Sequence, residues 1–305
     1  MPDAISGANI YVKSGTRAQF DAAAAAGELA ASEPYFISDE GRFAMGTSAN
    51  SYITYAIALT QDLSLYVSNT GSDSNDGLSA ATAFQTIQHA VTVLRTRYLL
   101  CGYTVIINVA DGTYVENVVM GSVTGGVVRF VGSTSAIWRN TAGYLLTLGD
   151  GNTVQVSGFT LGGGDTVNGI SVTNRALCTF QGGHVFAAMT RNQILVSRNG
   201  VCIVSGNYSI TGGGSFHYLV VDGGQLINFG INVTLIGTPA FTGSFASVGR
   251  LGSINGGDFV FTFSGAATGQ RYGVNTNGVI WVNGKGQNVF PGSVAGNVNT
   301  GGSYS

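Results

Sequence analysis

The sequence predicts an all-β chain folded as a parallel β-helix, and three observations carry that reading. Short apolar segments restart at Val105, Val128, Val154, Cys178, Cys202, Leu226, Ile254 and Ile280, a period of about 24 residues, within the range of stacked-coil architectures. Glycine-containing corners follow in step at Gly158, Gly182, Gly206 and Gly230, and small turns close most units: Asp150-Gly151, Asn174, Asn199-Gly200, Asp222-Gly223 and Asn277-Gly278. Asp, Asn and Gly tolerate the left-handed backbone that a sharp corner needs. Composition is the third observation: of 305 residues 47 are glycine, only four are proline, and 9% are charged. Without a G-X-Y period this excludes collagen, and 44% apolar residues exclude general disorder.

Each unit reads as two strands. First strands include Val154-Gln155-Val156, Cys178-Thr179-Phe180, Cys202-Ile203-Val204 and Leu226-Ile227-Asn228; second strands include Leu145-Leu146-Thr147-Leu148, Ile170-Ser171-Val172, Ile194-Leu195-Val196, Leu219-Val220-Val221 and Phe245-Ala246-Ser247-Val248. Alternate side chains point into a narrow core, and the backbone of one coil pairs with the coils above and below it. About seven coils are expected over residues 104–270. Ahead of them lies residues 62–103, with the strand Leu65-Tyr66-Val67, a polar loop and an amphipathic helix over residues 83–100. Its apolar positions Phe84, Ile87, Val91, Leu94 and Tyr98 recur at spacings of three and four. An open coil end exposes strand edges and core, so the helix is expected to cap the first coil and residues 271–305 to cap the last.

Residues 1–61 form a separate module: a β-like run at Asn9-Ile10-Tyr11-Val12, an alanine-rich segment ended by Gly27, and a hairpin from Pro34-Tyr35-Phe36-Ile37 to Arg42-Phe43-Ala44-Met45. The formal net charge is -2 with just two lysines, Lys13 and Lys285, which leaves no electrostatic footprint for nucleic acid or an anionic membrane. Three cysteines, Cys101, Cys178 and Cys202, contain no CxxC pair and read as small apolar residues. No membrane span or secretion signal is read, so synthesis in a cytoplasm is expected.

Leu65-Tyr66-Val67-Ser68-Asn69-Thr70-Gly71-Ser72-Asp73-Ser74-Asn75-Asp76-Gly77 with Ala83-Phe84-Gln85-Thr86-Ile87-Gln88-His89-Ala90 resembles the opening of right-handed β-helix proteins of the pectate-lyase-like superfamily, common in phage tailspikes. The stretch from Gly15-Thr16-Arg17 to Met45-Gly46-Thr47 is similar to small N-terminal modules of phage tail fibres, such as that of the major tropism determinant. Arg271-Tyr272-Gly273-Val274, Phe290-Pro291-Gly292-Ser293 and Gly301-Gly302-Ser303-Tyr304 look like a terminal signature of tail-fibre and tailspike proteins. Together these resemblances cover nearly the whole chain. They imply a homotrimer on a virion tail or head, made in a bacterial cytoplasm, attached through residues 1–61 and binding a host cell-surface glycan with its distal part.

Many tailspikes cleave polysaccharide with paired carboxylates. After Thr104 the acids are Asp111, Glu116, Asp150, Asp165, Asp222 and Asp258. Asp150 and Asp222 fall in the turn column and Asp111 in an Asp-Gly turn, so a depolymerase would draw on Glu116, Asp165 and Asp258, which lie on different coils without forming a clear pair. Binding without catalysis is therefore the expectation. Asp73, Asn75 and Asp76 lack calcium-loop spacing and read as side chains that bond nearby backbone. His89, His184 and His217 are isolated, and neither a metal site nor a cofactor is expected. The triplets Gly162-Gly163-Gly164 and Gly212-Gly213-Gly214 are not phosphate loops, because no helix or Lys-Ser/Thr follows. If a glycan site exists at the tip, Trp281, Tyr272 and Phe290 are its candidates, since sugar faces stack on aromatic rings.

Overall fold

The computed structural model describes residues 12–256 and 261–305. Packing divides the chain into two units, one running to Ala58 and including Thr96–Leu99, the other comprising Leu59–Arg95 and Leu100–Ser305.

In the first unit, helix α1 (Arg17–Ala26) begins at a capping box. Thr16 Oγ1 accepts from the Gln19 amide, and the Gln19 side chain accepts from the Thr16 amide. The helix ends where Gly27 takes the left-handed conformation with φ 73°. Phe20 and Ala24, four apart, bury against Leu29, Tyr35, Ile37 and Ala44. The sheet beside them runs Lys13–Gly15, Pro34–Ile37, Arg42–Ser48 and Ser51–Thr54 in that order, and the expected hairpin pairs Phe36 with Phe43. Of the run at 9–12, all but Val12 lies outside the described residues, and the edge strand starts at Lys13. The hairpin turn holds Glu40, whose side chain is 8% exposed and bonds Arg17 at 2.8 Å and Arg42 at 2.5 Å, with Arg97 at 3.5 Å. Burial alone would raise its carboxyl, but these guanidinium bonds and charges outweigh it and hold the group at about 2.

The second unit is a parallel β-solenoid. Among the described residues its sheets have ten, eight and seven strands, so each coil carries three strands where two were expected. The ten-stranded sheet runs from Leu63–Val67 to Ser303–Tyr304. It exceeds the expected seven coils because coils form at both ends beyond the clear repeat. Thr268–Val274, Val279–Trp281, Asn297–Val298 and Ser303–Tyr304 continue the same parallel pairing.

The residues at which the apolar pattern restarts stand in one column. Val105, Val128, Val154, Cys178, Cys202, Leu226, Ile254 and Ile280 are in direct strand-to-strand register, each at most 1% exposed. Each such aliphatic side chain contributes about 1.5–3 kcal/mol by leaving water. A second column faces it on the eight-stranded sheet: Val118, Leu146, Ile170, Ile194, Tyr218, Ala246 and Tyr272.

Between these two sheets the chain turns sharply. Among the described residues seven corners share one geometry, with positive φ at Asp150-Gly151, Asn174-Arg175, Arg198-Asn199, Asp222-Gly223, Arg250-Leu251, Thr276-Asn277 and Thr300-Gly301. Each is closed by an amide-to-carbonyl bond across the turn, as from Ala176 to Thr173 and from Gly224 to Val221, both 2.9 Å. The central peptides also bond from coil to coil. Arg175 N donates to Arg198 O at 3.4 Å, Asn199 N to Asp222 O at 3.2 Å, and Gly223 N to Arg250 O at 3.1 Å. The corners thus form a continuous ridge.

Helix α2 (Ile87–Arg97), shorter than the expected 83–100, lies in sequence between the first two strands of the ten-stranded sheet and buries Ile87, Ala90, Val91, Val93 and Leu94. Tyr98–Leu99, expected as its continuation, instead pairs as a strand with Ile57–Ala58.

Candidate functional site

Several of the acids have structural partners. Glu116 Oε1 accepts from Ile87 N at 2.9 Å and Oε2 from Gln88 N at 2.8 Å, so this carboxylate satisfies the first free amides of α2. Burial raises its proton affinity, the two amide bonds offset part of that rise, and the charge of Asp73 adds to it. Both oxygens of Glu116, the first of the catalytic candidates, thus face a helix end. Asp73 holds the same helix entrance, accepting from Gln85 N at 2.8 Å, Thr86 N at 3.0 Å and Thr86 Oγ1 at 2.9 Å. Asp76 accepts from Leu78 N at 2.9 Å. These are the backbone bonds expected of the polar loop. Asp111 accepts from the Ser133 hydroxyl, and Asp222 pairs with Arg250 at 2.5 Å. Asp165 is exposed in the loop after Gly162-Gly163-Gly164. Asp258 lies outside the described residues.

The proposed tip aromatics separate as well. Tyr272, 1% exposed, belongs to the inward column and stacks on Tyr304 with centroids 4.0 Å apart. Phe290 is fully buried among Phe245, Phe261 and Phe263. Both rings are therefore packed inside the coil, unlike Trp281. Trp281 is half-buried at an outward position, in register with Asn255.

Outward positions on the ten-stranded sheet mix aliphatic side chains such as Ile203 and Ile227 with a group of polar ones. Arg129, Gln155 and Thr179 stand in register on successive coils; Gln155 Oε1 accepts from Arg129 Nε at 2.8 Å and from Gln181 Nε2 at 3.0 Å. Parallel strands lie about 4.8 Å apart, so these three successive coils offer one polar side chain each, between Ile106 on one side and Ile203 and Ile227 on the other.

A polar network inside the core escaped the sequence reading. His217 bonds Gln193 Oε1 through Nδ1 at 2.5 Å and Tyr208 Oη through Nε2 at 2.7 Å, and Tyr208 also bonds the Tyr218 hydroxyl. The Gln193 amide donates to Ala187 O at 3.0 Å and Gly212 O at 2.8 Å. Burial keeps His217 neutral by pushing its proton affinity well down. His184 is also buried, held down at about 4, with Nε2 on Val156 O at 2.9 Å. Both histidines therefore act as core residues. Among the described residues no group of three His, Cys, Asp or Glu is placed to hold a metal ion, and no helix is long and apolar enough to cross a membrane.

The class defined at this point is a parallel β-solenoid with a polar cluster over three coils on its outside. Comparisons with family models, curated proteins and solved structures gave no match.

Proposed function

We propose that this chain is a phage, or phage-like, tail or head fibre or spike that binds a bacterial surface polysaccharide without cleaving it. The observation that carries the reading is the outer polar cluster of Arg129, Gln155, Thr179 and Gln181 on three successive coils. Amide and hydroxyl groups at a fixed repeat suit the hydroxyls of a repeating sugar chain. Glu116, Asp111 and Asp222 are meanwhile engaged with backbone, hydroxyl and arginine partners respectively. Trp281 adds a half-exposed ring for a sugar face.

In this reading the solenoid is right-handed, α2 covers its N-terminal end, residues 1–61 attach to the virion and the C-terminal coils are distal. The chain is made in a bacterial cytoplasm and works as a homotrimer. Exposed Val115, Val119, Phe229 and Ile236, each at least 50% accessible, support subunit contacts along the coil. The resemblances at both chain ends support the virion setting.

The test is incubation of purified protein with capsule and lipopolysaccharide from candidate hosts, with native mass measured in parallel. Retention on a glycan without new reducing or unsaturated ends, by a three-copy particle, is the expected result. Release of such ends would replace the reading with a depolymerase. Assembly without any glycan binding would leave a structural fibre segment, and a monomeric mass would remove the fibre assignment.

A further inference from the structure

We propose that the turn ridge carries an anion-binding cleft for acidic glycans, centred on Arg175 and Arg198. The inference rests on the glycan-binding reading above and assigns it a ligand class and a place. The coil-to-coil ladder forces the two arginines together, because Arg175 N donates directly to Arg198 O and successive coils are about 4.8 Å apart. Both side chains are exposed, and with Asp150, Gly151, Asn174 and Asn199 they line a cleft of about 520 Å³.

Like charges on adjacent rungs repel. Local ion pairing does not relieve these two, since among the described residues neither has a carboxylate within salt-bridge distance. Asp222, one rung on, is engaged by Arg250 at 2.5 Å and reaches Arg198 only through its longer-range field. Five other cations are ion-paired: Lys13 by Glu33, Arg17, Arg42 and Arg97 by Glu40, and Arg250 by Asp222. Among the 13 Lys and Arg of the chain, Arg175 and Arg198 are set apart by lying on adjacent rungs of one ladder and lining one cleft.

Guanidinium forks match the two oxygens of a carboxylate or phosphate. An acidic group seated between Arg175 and Arg198 would cancel their repulsion. The exposed amides of Asn174 and Asn199 flank it with donors and acceptors for neighbouring hydroxyls. Asp150 at the rim accepts from hydroxyls and turns the anion toward the arginines. A uronic acid and a sugar phosphate share this chemistry.

The experiment measures binding of the full chain to oligogalacturonate, to a glycerol-phosphate oligomer and to neutral dextran, at low and high salt. The comparison is the R175N/R198N double variant. Asn keeps the left-handed backbone accessible at both positions, and R175K/R198K retains charge without the fork. Wild type is expected to bind at least one acidic oligomer, less tightly at high salt, and the Asn double variant to lose about tenfold or more. The two acidic probes separate carboxylate from phosphate as the source, and Lys is expected to restore only part of the loss. Equal binding by wild type and the Asn variant, or no binding of either acidic oligomer by wild type, would overturn the proposal. Retained attachment of the Asn variant to host polysaccharide would sink the ridge site while leaving the adhesion reading intact.

Discussion

Replacing Glu40 with Gln tests how much one buried carboxylate stabilises the first unit. Its folded value of about 2 against an ordinary 4.5 corresponds to about 3 kcal/mol at neutral pH, which water reaching the flanking arginines reduces to about 2. Losing the charge also strands Arg42, which is 7% exposed and otherwise bonds Thr96 O at 3.1 Å. That brings the expected cost of E40Q to about 3 kcal/mol, or about a hundredfold more frequent opening. The sign follows from the lowered value. Stabilisation by Glu40 is fully present above about 4.5 and is lost as pH falls toward about 2. Brief proteolysis of the full chain reads the effect through cleavage within residues 13–58, with thermolysin at neutral pH and pepsin at pH near 2. E40Q is expected to be cleaved far faster at neutral pH and at nearly the wild-type rate in acid. A variant-to-wild-type ratio that stays the same at both pH values would refute the assignment of the low value to the arginine cluster.

Three further outcomes are expected. Gln193→Leu leaves two part-buried carbonyls and the buried Nδ1 of His217 without their partner, so denaturant unfolding should show a loss of about 2–4 kcal/mol. Gly206→Ala places a Cβ 2.1 Å from Gln181 O and should cost about 1–3 kcal/mol; Gly151→Ala, open to space at φ +72°, should cost only about 1 kcal/mol in the same thermal melts. Burial raises the thiols of Cys178, to about 12, and Cys202, whereas Cys101 is exposed. Iodoacetamide on native protein at pH 8 should therefore give one adduct by mass, with three appearing in denaturant.

The solenoid was legible because its long-sheet core repeats one kind of residue at one phase, and the register of Val154, Cys178, Cys202 and Leu226 follows directly. The seven-stranded sheet was not, because strands as short as Thr160–Leu161 are too brief to show alternation. Turn residues identified Asp150-Gly151 and Asp222-Gly223 as corners, but Arg250-Leu251 takes the same backbone without any turn-forming residue. Its conformation is set by ladder bonds on either side, with Gly223 N donating to Arg250 O and Leu251 N to Thr276 O. The candidate site was less legible. The side that Tyr272 faces depends on its strand phase, which Val248 and Val274 set by pairing in register, and the role of Glu116 depends on a helix 29 residues earlier. Arg175 and Arg198 read as ordinary turn neighbours until stacking places them on adjacent rungs.

The ridge has an electrical consequence. In each central peptide the carbonyl belongs to the first residue of the left-handed pair and the amide to the second. The amides of Gly151, Arg175, Asn199, Gly223, Leu251 and Asn277 all donate toward the following coil. Peptide dipoles of about 3.5 D therefore align head to tail along the corner, as they do along a helix axis. Their positive end lies at the C-terminal coil and their negative end at the Asp150 turn. A chain with a formal charge of only -2 thus carries a directional field along one edge, arising from the backbone and independent of its few ionised side chains.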